Sequence, residues 1–227
     1  MSTRLVILPG IDGTAFLREE FVRSVNDLNP VVVSYPEDLP QDYPRLADAA
    51  LSQLPQNEPY YLLGESFGGP LAILLAQREG CVGLILSASF YRYTSHLRAL
   101  APLSNLLSPN LLPSSLVSWF LLGEWATPLL RSQVSDALAK VSSHTLRARM
   151  QASLRVDLSA ELRALRTPLL YMQASKDRIV PASVGRGLAN ASTLATLIQI
   201  PGPHLLLQVA PNACATEIRQ FVSASML

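Results

Sequence analysis

The sequence predicts an α/β fold: a mainly parallel sheet of about six strands flanked by helices, with a helical insertion between the fourth and fifth strands. Three observations carry this expectation. Short, β-rich apolar runs alternate with longer segments of helical period. Most of those runs are nearly continuous in apolar character, as strands covered on both faces must be. The alternation then stops over one long interval, which no convincing strand interrupts.

The predicted strands cover residues 4–8, 31–35, 60–64, 82–87, 169–173 and 196–200. Between the second and third, Tyr43, Leu46, Ala47, Ala50, Leu51 and Leu54 mark one helical face. A closing helix near 213–223 offers Ile218, Phe221 and Val222 in the same way. The interval from about residue 89 to 165 is rich in Leu, Ser and Pro. Within it Val134, Leu138, Val141 and Thr145 have helical spacing, extended by Leu146 and Met150. The expected organisation is therefore a core of residues 1–88 and 166–227, with residues 89–165 as the insertion.

Composition narrows the function classes. Of 227 residues, 49% are hydrophobic and 15% charged, which suits a large core and excludes a disordered chain. A formal net charge of +1 with no run of Lys or Arg points away from nucleic acid and from acidic membrane surfaces. Cys81 and Cys214 share no metal-binding spacing and read as reduced thiols. The three histidines form no paired ligand motif, so neither a metal nor another cofactor is expected. The first apolar run is too short for a signal peptide, and residues 116–122 are too few to span a bilayer. The expectation is a cytoplasmic protein with no stable membrane insertion.

The most informative segment is Leu62-Leu63-Gly64-Glu65-Ser66-Phe67-Gly68-Gly69. It matches the G-x-S-x-G nucleophile elbow, with an apolar strand before it and a helix-forming run after it. Such a turn holds the serine in a strained conformation and projects its hydroxyl beyond the sheet. Small residues at 64 and 68 allow the close backbone approach. Pro70 is tolerated in the first helical turn. The elbow also nominates the Phe67 N–H as an oxyanion-hole donor.

A serine hydroxyl needs a base, and a histidine base needs a carboxylate to fix its tautomer. Loops at the carboxyl ends of the strands are the place to look. Asp177 follows the fifth predicted strand, and His204 follows the sixth. The chain order Ser66, Asp177, His204 is the one expected of an elbow serine. Asp157 and Glu161 lie in helix-like sequence before a strand and are poorer candidates for the acid. His96 and His144 fall in the insertion and read as surface or packing residues.

With the early Leu8-Pro-Gly-Ile-Asp-Gly loop, these segments make four separated matches in order. The chain thereby resembles the α/β-hydrolase superfamily, in particular its capped serine esterase and lipase-like members, over nearly its whole length. The resemblance implies a second oxyanion donor at the backbone N–H of Ile11, after Gly10. Pro9 departs from the pattern, because many relatives carry histidine there and proline supplies no side-chain hydrogen bond. Asp12 is placed to brace this loop.

The family likeness also implies that the insertion caps the nucleophile, with Trp119, Phe120, Leu121, Leu122 and Trp125 as apolar material for an acyl pocket or for gluing the cap down. Many relatives carry two earlier strands, so a six-strand sheet leaves an edge available for a homodimer. The implied activity is hydrolysis of small, uncharged or partly apolar carboxylic esters through an acyl-enzyme. Acyl transfer, thioester or amide hydrolysis, and ligand sensing with residual hydrolysis are the alternatives the same residues permit.

Overall fold

The computed structural model describes residues 4–93 and 113–225. Its strands are β1 (Arg4–Leu8), β2 (Val31–Val32), β3 (Tyr60–Glu65), β4 (Cys81–Ser87), β5 (Leu169–Ala174) and β6 (Ala195–Ile200). They form one six-stranded sheet in the order β2-β1-β3-β4-β5-β6, and every neighbouring pair is parallel. The helices are α1 (Glu19–Ser24), α2 (Tyr43–Ala50), α3 (Gly68–Leu75), α4 (Ser114–Leu121), α5 (Pro128–Ala139), α6 (Ser143–Arg155), α7 (Ser159–Ala164), α8 (Ala182–Ala191), α9 (Leu206–Val209) and α10 (Pro211–Ala224).

Strand periodicity divides the core into two layers. Val6 and Leu8 of β1 and Leu62 of β3 face one side, where they meet Leu46, Leu71, Leu75, Leu162 and Leu188. Leu5, Ile7 and Leu63 face the other, against Phe21, Leu206, Ile218 and Val222. The apolar face expected of α2 is buried at Tyr43, Leu46, Ala47 and Ala50. In α10, Ile218 and Val222 are buried, while Phe221 packs at the margin.

The second strand is shorter than its sequence suggests. Val33 still donates to the Ile7 carbonyl, but the Ser34 N–H is taken by Gln53 Oε1 and the Tyr35 N–H by the Gly13 carbonyl. These competing acceptors pull the chain off the sheet edge after Val32. The spacing of Val134, Leu138, Val141 and Thr145 also spans two helices, not one. Ser142 accepts a hydrogen bond from the Thr145 N–H at 3.1 Å and so starts α6 afresh.

Helices α4 to α7 lie between β4 and β5 in the chain. A small apolar cluster of Leu122, Val134 and Leu205, with Leu17, Val117 and Leu130 against it, joins them to the loops beside the sheet. Among the described residues, no helix is long and apolar enough to cross a membrane.

Candidate active site

The site collects at the carboxyl ends of the strands, where parallel topology brings loops distant in sequence together. Ser66 follows β3 and turns into α3 with φ of 49°, a conformation that L-residues rarely adopt. Its backbone is held on both sides. The Ser66 N–H donates to the Ser87 carbonyl at 3.0 Å, and the Ser66 carbonyl accepts from Gly69 N–H at 3.0 Å and Ser89 Oγ at 2.7 Å. The Tyr171 hydroxyl in turn donates to the Ser89 carbonyl at 2.8 Å. Gly68 needs its missing side chain, because a Cβ there would run into the Leu8 carbonyl and lie 2.6 Å from the Pro9 carbonyl oxygen. The elbow and the loop after β1 are thus in direct backbone contact.

The other two loops are stitched together by the register of β5 and β6. Ala174 pairs with Ile200, Ser175 N–H donates to the Ile200 carbonyl at 2.9 Å, and Lys176 N–H donates to the Gly202 carbonyl at 3.0 Å. This sets Asp177 beside His204. The His204 Nδ1 lies 3.0 Å from both carboxylate oxygens of Asp177, whose Oδ1 also accepts the N–H groups of Ile179 and Val180 at 2.8 and 2.9 Å. With the Nδ1 proton donated to the carboxylate, Nε2 is the acceptor, and Ser66 Oγ lies 2.8 Å from it. The side chains of Asp177 and His204 are each only 3% exposed. Burial first, and the Asp177 charge second, raise the Tyr93 and Tyr171 hydroxyls above the ordinary phenol range.

Phe67 is buried, stacked on Tyr43 with centroids 4.9 Å apart and edge-on to Tyr35 at 6.0 Å. Ile11 lies in a turn closed by a 3.0 Å bond from Gly13 N–H to the Gly10 carbonyl. In a trans peptide the N–H points opposite to the carbonyl. The Gly10 carbonyl is held inside the turn, so the Ile11 N–H is directed out of it.

Sequence reasoning placed Asp12 to brace this loop but passed over Arg18, Glu65 and Arg149, the charged groups around it. Asp12 accepts two hydrogen bonds from Arg18, at 2.9 and 3.0 Å, and one from the Thr14 hydroxyl at 2.8 Å. Arg18 Nη2 also lies 2.6 Å from Glu65 Oε2, and all three charged side chains are essentially buried. Burial by itself lowers the Arg18 pKa, but Glu65 and Asp12 together outweigh it and leave the group above its ordinary value. Arg149 of α6 is fully buried too. Its Nη1 donates to the Ile11 carbonyl and its Nε to Gln41 Oε1, both at 2.8 Å. A signal for Arg149 was available: it shares a helical face with Thr145 and Leu146, where a charge must find buried acceptors.

The remaining candidates lie elsewhere. His144 is exposed on α6, and His96 falls outside the described residues. Asp157 accepts from Ser159 at the start of α7. Burial pushes the thiols of Cys81 and Cys214 up to about 11 and about 12, values that disfavour a thiolate nucleophile. Among the described residues, no group of three or more His, Cys, Asp or Glu side chains is arranged to hold a metal ion.

Two of the loops around the elbow are also tied to the inserted helices. Arg178, next to Asp177, donates from Nη1 to the Trp119 carbonyl at 2.8 Å and lies 4.3 Å from the centroid of that ring. The N–H of Leu205, next to His204, donates to the Leu121 carbonyl at 3.1 Å.

Comparison with known proteins agrees with this architecture. A lipase-esterase related protein from Clostridium acetobutylicum aligns with TM-score 0.80 at 14% identity, covering 97% of this chain and 94% of the other. An esterase from Exiguobacterium antarcticum gives 0.82 at 16% identity, covering 97% and 92%. At such identities the likeness concerns the fold. A Caulobacter sp. (strain K31) protein named for carbamate hydrolysis, RutD, is 35% identical over 83 residues, which span 36% of this chain and 31% of that relative. The family model described as serine aminopeptidase, S33, matches residues 29–202, and the chain belongs to that family of α/β hydrolases.

Proposed function

We propose that this chain is a serine hydrolase that cleaves small, uncharged or partly apolar carboxylic esters through an acyl-enzyme. The observation that carries the reading is the chain of contacts from Ser66 Oγ to His204 Nε2 at 2.8 Å and from His204 Nδ1 to Asp177 at 3.0 Å. His204 takes the Ser66 proton as Oγ bonds to the ester carbon. The tetrahedral oxyanion collapses, and the departing alkoxide leaves with the proton from the imidazolium. Water, deprotonated by the same histidine, then displaces the acyl group and restores Ser66. Asp177 holds the ring and stabilises its positive form. The N–H groups of Phe67 and Ile11 stabilise the oxyanion. No cofactor enters the scheme.

Residues 89–165 serve in this reading as a cap, whose apolar residues bound the acyl side of the substrate. Trp119 and Phe120 of α4 are half-exposed and suit an uncharged acyl group better than a charged one. The proposal includes a cytoplasmic enzyme with an edge of the six-stranded sheet open for a homodimer.

The test is turnover of p-nitrophenyl esters graded from acetyl to decanoyl, by wild type and Ser66→Ala, with product analysis in the presence of a long-chain alcohol. Removal of a triad serine lowers kcat by about 10⁶ in a well-studied protease, and a loss of that order is expected here. Equal rates for the two proteins would refute the assignment. An alkyl ester as the main product would convert the reading from hydrolysis to acyl transfer.

A further inference from the structure

We propose that Arg149, on helix α6 of the insertion, is a positioning residue for the oxyanion hole. The inference rests on the hydrolase reading above and assigns the insertion a part in the chemistry besides enclosing substrate.

The loop after β1 is pinned at four successive residues. The Tyr35 hydroxyl donates to the Pro9 carbonyl at 2.9 Å, Gly13 N–H to the Gly10 carbonyl at 3.0 Å, Arg149 Nη1 to the Ile11 carbonyl at 2.8 Å, and Arg18 to the Asp12 carboxylate at 2.9 and 3.0 Å. The peptides on both sides of the Ile11 Cα are therefore fixed, the preceding one by the turn and the following one by Arg149. Removing Arg149 frees the second peptide to rotate, and the first peptide, which carries the Ile11 N–H, shifts with it.

The surroundings of the guanidinium support a directed role over simple anchoring. It is fully buried, it donates to the neutral Gln41 Oε1 and Ile11 carbonyl, and its Nη2 has no hydrogen-bond partner. A helix meant only to adhere would be better served by an apolar side chain, since burying a charge on neutral acceptors is costly. What a guanidinium supplies is a planar fork that reaches two acceptors at once, packed 5.4 Å from the Tyr35 ring centroid. Gly13, at φ +69°, leaves room for it, because a Cβ there would lie 2.5 Å from Arg149 Nη1.

The experiment compares wild type, Arg149→Lys, Arg149→Met and Ser153→Ala by kcat and KM on an activated ester, by the rate of inactivation with a fluorophosphonate, and by thermal melting. Ser153 is also on α6; its hydroxyl donates to the Arg149 carbonyl at 2.9 Å and lies 3.3 Å from the Tyr43 hydroxyl. Its removal weakens the contact of this helix with α2 while the guanidinium keeps its bond to the Ile11 carbonyl. Losing a direct oxyanion donor lowers kcat by roughly 10²–10³. An indirect loss of about 10-fold is expected for Arg149→Lys, whose single ammonium cannot span both acceptors, and about 100-fold for Arg149→Met. KM should stay within about twofold and inactivation should slow in parallel, while Ser153→Ala keeps the wild-type kcat. A wild-type kcat in either folded Arg149 variant overturns the proposal, as does an equal kcat loss in Ser153→Ala. Retention of full activity by Ser66→Ala in the same assay would instead strike the hydrolase reading itself.

Discussion

At the nucleophile elbow, the groups that hold Ser66 are the main chain of Ser87 and Gly69 and the small hydroxyl of Ser89. At the neighbouring loop of Pro9 to Asp12, three of the four holding groups are long side chains, Tyr35, Arg149 and Arg18, and two of those carry charge. The two regions touch through Gly68 and together form one site. The elbow is built from short-range geometry, with two donors sharing the Ser66 carbonyl. In the loop, among the described residues, the Pro9 and Ile11 carbonyls each have one side-chain donor, and Asp12 has Arg18, shared with Glu65, as its charged partner besides the Thr14 hydroxyl. Damage to a single residue should therefore be absorbed at the elbow and felt throughout the loop.

The largest effect that would break this contrast is expected from Arg18→Met. It leaves Asp12 and Glu65 buried with their shared cation gone, and removing one partner of a buried ion pair typically costs about 3–5 kcal/mol. Urea unfolding measures the loss. A change below about 1 kcal/mol would show that the loop is held by its turn and not by charge. Ser89→Ala sharpens the other side of the comparison. The Ser66 carbonyl keeps its bond from Gly69 N–H, so the loss should stay near 1 kcal/mol, with any turnover of the proposed ester substrate within a few-fold of wild type. A collapse of activity in that variant would mean that the elbow lacks the redundancy described above.

The smallest effect concerns the seat of α6. Glu37 Oε2 accepts the Ser142 N–H at 3.1 Å, a bond that holds its carboxyl below the usual carboxylate range despite the opposing effect of partial burial. A depressed folded-state pKa contributes stability above the unfolded value of about 4.3 and loses it as pH falls through the folded value. Glu37→Gln should therefore melt slightly earlier than wild type near neutral pH, and the gap should close below about pH 4. A gap that widened on acidification would reverse the sign of this contribution.

What could be read without coordinates follows the same division. The strands at 4–8, 60–64 and 169–173 were legible because burial on both faces demands continuous apolar sequence. The second strand was overestimated because the acceptors that end it, Gln53 and Gly13, lie far off in the chain. Pro9 supplies no side-chain hydrogen bond to its loop, which the sequence displays, yet nothing local identifies Tyr35 and Arg149 as the side chains that do. The place of Arg149 on the helical face of Thr145 and Leu146 was the one visible hint.

By itself, the sequence determined the parallel α/β architecture and the strained turn at Ser66. Both depend on local periodicity and on glycines at fixed offsets, which a linear pattern displays. Tertiary structure alone decided which charges stand behind the Ile11 loop, and that a helix from the insertion supplies one of them. The Arg18–Glu65 pair and the Arg149 bond to Ile11 join segments that meet only after the sheet has assembled, and their spacing along the chain carries no period to read.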